Sequence, residues 1–324
     1  MEFRTEINPG PSLNRISHET KVLFTGSCFA ENIGSYLKEF LFPVKINPFG
    51  VVYNPLSVLN TLGILLDGNK FGEDDLEYRD ELWFSWDHHS SFSHPDKGEC
   101  LRKINLEIES SSKHLKQSRF LVITFGTAWV YRLKESGKIV SNCHKVPDSA
   151  FDRILLKPED IIQSWENFLD EIFTLFPDLT VIFTISPVRH WKEGAHGNQL
   201  SKAVLLLAVD ELCNKFPDKT EYFPAYEILL DDLRDYRFYA DDLLHPGTQA
   251  LEYIRDKFGQ TYFDGKTIEL IREIKKLIQA KNHKVFNKDS ESYVKFKDAQ
   301  LKLISNISLL YPFLDLTEFR EYFT

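Results

Sequence analysis

The 324-residue chain contains four cysteines, Cys28, Cys100, Cys143 and Cys213, and none forms a CxxC pair. That scatter argues against a zinc ribbon and against a disulfide framework. No apolar run reaches the ~18 residues needed to span a bilayer, so no membrane association is expected. The opening Met1-Glu2-Phe3-Arg4-Thr5-Glu6 has no apolar signal region. A cytoplasmic location with free thiols is therefore expected. Positive charge is also in short supply: the net formal charge is −9. An acidic bulk repels phosphate backbones, so no nucleic-acid partner is expected. No GxxxxGK[ST] loop occurs, and no GxGxxG follows an apolar run, so these loops give no basis for nucleotide binding. Internal repeats and low-complexity tracts are absent too.

What the chain has is apolar bulk. Hydrophobic residues make up 43%, with 26 Phe and 13 Tyr, ample for a large core. Continuous apolar runs occupy 21–25, 119–125, 179–185 and, more weakly, 220–223. Continuous rather than alternating apolar character suits parallel strands covered on both faces. Helical periodicity follows Gly26 through Phe29, Ile33, Leu37 and Phe40. It recurs after Pro158 (Ile161, Trp165, Phe168, Ile172, Leu175), from about Gln199 to Phe216, and after Pro246-Gly247 (Leu251, Ile254, Phe258). Strands alternating with helices predict a three-layer α/β/α fold with a doubly wound, mostly parallel sheet. Ligands bind such sheets beyond the carboxyl ends of the strands, where Gly26, Gly126 and Ser186 fall.

One α/β domain over 1–265 is expected, with an irregular insertion at about 68–118 that reads as a lid. A helical extension over 266–324 follows. Ile268, Ile271, Ile274 and Ile278 mark one stripe, and Tyr293, Phe296, Leu303 and Ile307 a second. The extension carries +3, leaving −12 on the rest. Its expected role is packing on the domain or homodimerisation.

Two clusters carry chemistry. A thiol at a helix N-terminus meets unpaired N–H groups and the positive end of the helix dipole, which lowers its pKa and supplies an oxyanion donor. Cys28 has that position, and Ser27 beside it is the second candidate, with helix capping as its alternative role. At the far end, Asp242 and His245 have the spacing of a base and its orienting carboxylate. Asp241 is the alternative carboxylate.

Thr25-Gly26-Ser27-Cys28-Phe29-Ala30 resembles the signature of the GSCFA domain family, part of the SGNH/GDSL hydrolase-like clan. Asn142 to Pro147, Ser186 to His190, Asn198 to Lys202, and Leu233 to Tyr239 running into Asp242 and His245 resemble that family too. The resemblance covers roughly Val22 to Phe258. Laid on a GDSL block, Gly26 falls on its Gly, Ser27 on its Asp and Cys28 on its nucleophilic Ser. Asn32 then falls four residues on, as in the similar opening of plant polysaccharide O-acetyltransferases. Capsule-polysaccharide acetyltransferases with a G-N-C-Q opening also place a Cys there. The resemblance implies that His245 is the base and Asp242 its partner.

It also implies an oxyanion hole with a Gly and an Asn from two further blocks. Gly50, in Asn47-Pro48-Phe49-Gly50, is the candidate for the first. Gly126-Thr127-Ala128-Trp129 occupies the place of the second and has no Asn. Asn142, His144 and Asn198 are candidates for the missing donor. Arg189 and His190 follow a strand end and are candidate contacts to an anionic substrate group. His88, His89 and His94, with Cys143 and His144, match no standard metal spacing, so no metal and no cofactor are expected. Trp83, Trp86 and Phe92 either stack on a sugar or pack in the core. The expected chemistry is acyl-ester hydrolysis or O-acyl transfer on a carbohydrate or related small ester. A non-catalytic ligand-binding module and a scaffold acting through the C-terminal helices are the alternatives.

Overall fold

The computed structural model describes residues 4–284, 286–287 and 289–324. The first three residues of the opening segment lie outside the described residues. In chain order the elements are β1 (Val22–Gly26), α1 (Cys28–Glu39), β2 (Val44–Ile46), α2 (Pro55–Asp67), β3 (Glu77–Arg79), β4 (Leu82–Phe84), α3 (Lys97–Leu115) and β5 (Phe120–Phe125). There follow β6 (Trp129–Leu133), β7 (Ile139–Val140), β8 (Phe151–Leu155), α4 (Pro158–Leu175), β9 (Thr180–Ile185), α5 (Gly194–Lys215) and β10 (Thr220–Phe223). The chain ends with α6 (Ala225–Glu227), α7 (Thr248–Tyr262), α8 (Gly265–Asn282), α9 (Glu291–Leu310) and α10 (Thr317–Phe323).

The four apolar runs form four strands of one parallel sheet, ordered β10-β9-β5-β1-β2. The fifth, β2, is three half-buried residues at the sheet edge, too short to announce itself by periodicity. Every residue of β1, β5 and β9 is buried, which is why these runs are apolar throughout. Two cores lie on opposite faces. One joins α2, α3, α4 and α5 through residues such as Leu62, Ile104, Trp165 and Leu205. The other joins α1, α7 and α8 through Phe29, Ile33, Ile254, Phe258 and Ile274. This is a three-layer α/β/α fold.

The reading of 68–118 as an irregular lid is corrected. Residues 97–115 form the regular helix α3, capped by Asp96 and burying Cys100, Ile104, Ile108 and Leu115. Its polar sequence hid it: only one narrow face meets the core. The remainder of that stretch includes a tight hairpin, β3–β4, turned by Asp80 and Glu81, both with positive φ. A second, antiparallel sheet, β7-β6-β8, grows from the end of β5.

The C-terminal helices pack on the domain. Leu270, Ile274, Leu277, Ile304, Ile307, Phe319 and Phe323 share one buried cluster with Val22, Phe24 and Phe29. The buried line of α8 is Leu270, Ile274 and Leu277, rotated from the expected isoleucine stripe, whose Ile268, Ile271 and Ile278 are only partly buried.

Candidate active site

The site begins with a turn that only glycine fits. Gly26 ends β1 at φ +131°, and a Cβ there would lie 2.1 Å from the Thr124 carbonyl oxygen. Asn47 Oδ1 accepts the Gly26 N–H at 2.9 Å, and the Gly26 carbonyl accepts from Val52 N at 2.9 Å. The Ser27 N–H continues the β1–β5 pairing to Thr124 O at 3.1 Å. Cys28 then opens α1 beyond the carboxyl end of the sheet. From β1 the chain turns to β2 on one side, then crosses to β5 on the other. This crevice, between Gly26 and Gly126, is the switch point where doubly wound folds hold ligands.

Ser27 is 1% exposed and its Oγ accepts from Phe29 N at 3.3 Å, so it caps α1 and is not placed as an accessible nucleophile. Cys28 is half-buried. Burial pushes its thiol above the ordinary value, and Glu31 adds to that. Lys202 and the N–H groups of Cys28 and Phe29 pull the other way. The expectation of a depressed thiol pKa is corrected: desolvation outweighs the helix terminus in the resting site.

Facing this crevice is a lysine that the sequence reading assigned no role. Lys202, on α5, is 1% exposed, and its Nζ donates to Gly126 O and Ser186 O, both at 2.7 Å. Burial lowers its pKa to about 7, while Cys28 raises it. The available signal was helical phase: Asn198, Ser201, Lys202, Leu205, Val209 and Leu212 form one buried face, with a lysine inside it.

His190 and Tyr53 complete the near wall. Their rings meet edge to face at 5.1 Å, and both touch Gly126, whose added Cβ would lie 3.2 Å from His190 Nε2. Burial lowers the His190 pKa to about 4, assisted by Lys202, Arg153 and His245. Asn198 is buried and accepts the His190 N–H on Oδ1 at 3.0 Å, so it positions His190.

Asp242 and His245 are joined at 2.5 Å between Oδ2 and Nδ1. Asp242 Oδ1 also accepts the N–H groups of Leu244 and His245, both at 2.9 Å, so Asp242, not Asp241, is the partner. Those backbone bonds, then the imidazole, hold the Asp242 carboxyl down at about 2. Both side chains are about half exposed. Arg189 clips this loop to the β9 end through its N–H to Leu244 O and its guanidinium to Leu243 O. It stacks over Tyr239 at 4.8 Å. Arg189 thus serves the loop rather than an open anion site.

Two oxyanion candidates, Gly50 and Gly126, are corrected by their hydrogen bonds. The Gly50 N–H is spent on Asn47 O at 2.8 Å, and the Gly126 N–H on Tyr53 O at 2.7 Å. Gly50 instead allows close packing: an added Cβ would meet His89 Cβ at 2.2 Å. Asn142 Oδ1 holds the His144 N–H at 2.8 Å, and His144 Nε2 bonds Ser85 O at 2.9 Å while stacking on Phe84. These two residues brace the β4–β7 region.

His88 is fully buried against Phe49 at 3.9 Å, and that burial lowers its pKa to about 3. His94 binds Asp96 locally. Among the described residues no cluster of three His, Cys, Asp or Glu suits a metal. Trp83 and Phe92 pack against the core, and Trp86 contacts Phe84, His144 and Phe151. No helix among the described residues is long and apolar enough to cross a membrane.

The chain matches the model of the GSCFA family over residues 21–258 and that of the GSCFA domain protein C-terminal domain over 274–324. No curated protein sequence matches it. Among solved structures it is similar to a Bacteroides fragilis protein assigned as an acylhydrolase, at 9% identity and TM-score 0.39, covering 82% of this chain and 92% of that one. A carbohydrate esterase family 3 structure from Talaromyces cellulolyticus gives 10% identity and TM-score 0.33, covering 78% and 99%. A Clostridium thermocellum family 3 carbohydrate esterase gives 14% and 0.32, covering 78% and 97%.

Proposed function

The chain belongs to the GSCFA family, and on the geometry of its site we propose that it performs acyl-ester chemistry with Cys28 as nucleophile. The substrate class is an acylated carbohydrate or related small ester. The observation that supports this reading is a preformed Asp242–His245 pair on a loop clipped to the carboxyl end of the sheet, the end beyond which Cys28 lies. Cys28 Sγ gives its proton to a base of the crevice, attacks the acyl carbon and forms a thioester; it recovers that proton when the thioester is cleaved. The Cys28 N–H, the first of α1, donates to the oxyanion. His245, oriented by Asp242, gives a proton to the leaving alkoxide and then takes one from water or a sugar hydroxyl. Water makes the protein an esterase; a sugar hydroxyl makes it an O-acyltransferase.

A second reading is a binding module without turnover. The spent amides of Gly50 and Gly126 favour it, because they leave fewer oxyanion donors. One experiment separates the two. The full chain is incubated with p-nitrophenyl acetate, quenched, and mapped by mass spectrometry. The acyl reading expects one acetyl group on the Cys28 peptide, absent in Cys28→Ala and persisting longer in His245→Ala. No adduct in the wild type, or an equal adduct in Cys28→Ala, overturns it.

A further inference from the structure

We propose that Lys202 is the general base that deprotonates Cys28, so that the site holds two bases with separate tasks. This inference rests on the reading of Cys28 as nucleophile. The β1–β5 ladder ends with Gly26 opposite Thr124, the Ser27 N–H still reaches Thr124 O, and Cys28 then opens α1 beyond the carboxyl ends of the same two strands, where β5 runs on to Gly126. The Lys202 Nζ is bound to the Gly126 carbonyl, beside that position, and to the Ser186 carbonyl one strand further. A neutral amine has two N–H donors and one lone pair. Both donors are spent on carbonyls, which leaves the lone pair free to accept a proton. The Tyr226 ring covers the group at 5.4 Å, and His190 stands near it. Among the described residues Cys28 is the group that favours the charged form of Lys202. On the other side, Cys28 feels Lys202, Glu31 and the first N–H groups of α1.

A fully buried ammonium without a carboxylate is costly, whereas a neutral amine there is not. Burial disfavours the thiolate in the same way, so both groups are held toward their neutral forms. Charge appears on both groups together when the proton crosses, and each then stabilises the other. Lysine does this where arginine cannot, because only lysine sheds its proton near neutral pH.

The sequence of bonds closes as follows. The Cys28 S–H proton passes to the Lys202 lone pair. The sulfur pair forms the C–S bond while the carbonyl π pair moves to oxygen. Collapse breaks the ester C–O bond, and the alkoxide takes a proton from protonated His245. Water then gives a proton to neutral His245 as it attacks the thioester. The C–S bond breaks, and the thiolate recovers its proton from the Lys202 ammonium.

The test uses the full chain and needs no substrate. Cys28 alkylation by iodoacetamide is followed from pH 5 to 10 in wild type and in Lys202→Met. The wild type should react about tenfold faster or more at pH 7, with the variant catching up only at high pH. Coincident profiles in a folded Lys202→Met overturn the proposal. Because that variant is able to fail by misfolding, a second measurement uses the wild type alone. In 13C-lysine-labelled protein the Lys202 signal should titrate near neutral pH, and Cys28 alkylation should rise with the same midpoint. Midpoints more than about one pH unit apart overturn the pairing. Linked titrations without any acetyl adduct would keep the Lys202–Cys28 pair and remove the acyl reading. An adduct at Cys28 with coincident profiles would do the reverse.

Discussion

Replacing Gly26 by alanine sets a methyl carbon 2.1 Å from Thr124 O and 2.8 Å from Thr124 C, both backbone atoms of the neighbouring strand. The closest carbon–oxygen contacts in sheets are about 3.3 Å, so the strands must part by roughly 1 Å. That movement pulls on Ser27 N to Thr124 O, and on the bonds that join Gly26 to Asn47 and Val52. Losing one or two of them costs about 1 kcal/mol each. Holding a non-glycine residue at φ +131° adds about 1–3 kcal/mol. The expected loss is therefore about 2–5 kcal/mol. Gly137 provides the control: it also has positive φ, at +72°, but nothing lies within 4 Å of an added Cβ. Gly137→Ala should cost only about 1 kcal/mol, the backbone share alone. Urea unfolding of the two variants measures the difference directly. A Gly26→Ala protein within about 1 kcal/mol of Gly137→Ala would refute the claim that close approach to β5, and not φ alone, dictates this glycine.

Ser27→Ala should lose about 1 kcal/mol of stability with its cap and keep acetylation at Cys28; disappearance of the adduct would return Ser27 to the chemistry. Burial lowers the pKa of His18 to about 4 and of His88 to about 3, from 6.5. An unfolded chain binds protons on these residues before the folded one does, so their contribution is complete above pH 6.5 and is lost as pH falls toward 4. The urea midpoint should drop over that window, and less so in His88→Phe; a flat profile would contradict the burial argument. Asn198→Ala should leave the His190 N–H without its acceptor and slow acetylation of Cys28, measured as the rate of adduct formation; an unchanged rate would limit Asn198 to packing. Leu277→Ala, at a buried position of α8, should cost about 2–5 kcal/mol in a single unfolding transition. A separate early transition would mean that the C-terminal helices fold apart from the sheet.

Much of the scaffold was legible because its signals are local. A parallel strand buried on both faces must be apolar along its length, so β1, β5 and β9 appear as uninterrupted runs. Helices α1, α4 and α7 bury one face each and repeat at helical spacing. Gly26, Cys28 and the Asp242–His245 spacing are likewise readable, since a turn, a helix start and a three-residue interval involve only near neighbours. Edge strand β2 and helix α3 escaped, one through shortness and the other through its polar exterior.

The tertiary structure decided everything that depends on who stands opposite whom. Whether a glycine amide is free or spent is set by a carbonyl elsewhere in the chain, as Tyr53 sets it for Gly126. Whether a helix-terminal thiol is acidic depends on how much water the fold leaves around it, and here burial wins at Cys28. A lysine on one face of α5 becomes part of the crevice only because two strand ends place their carbonyls beneath its amine. Periodicity encodes burial along an element, but desolvation and pairing are properties of the space between elements, which exists only once the sheet has closed.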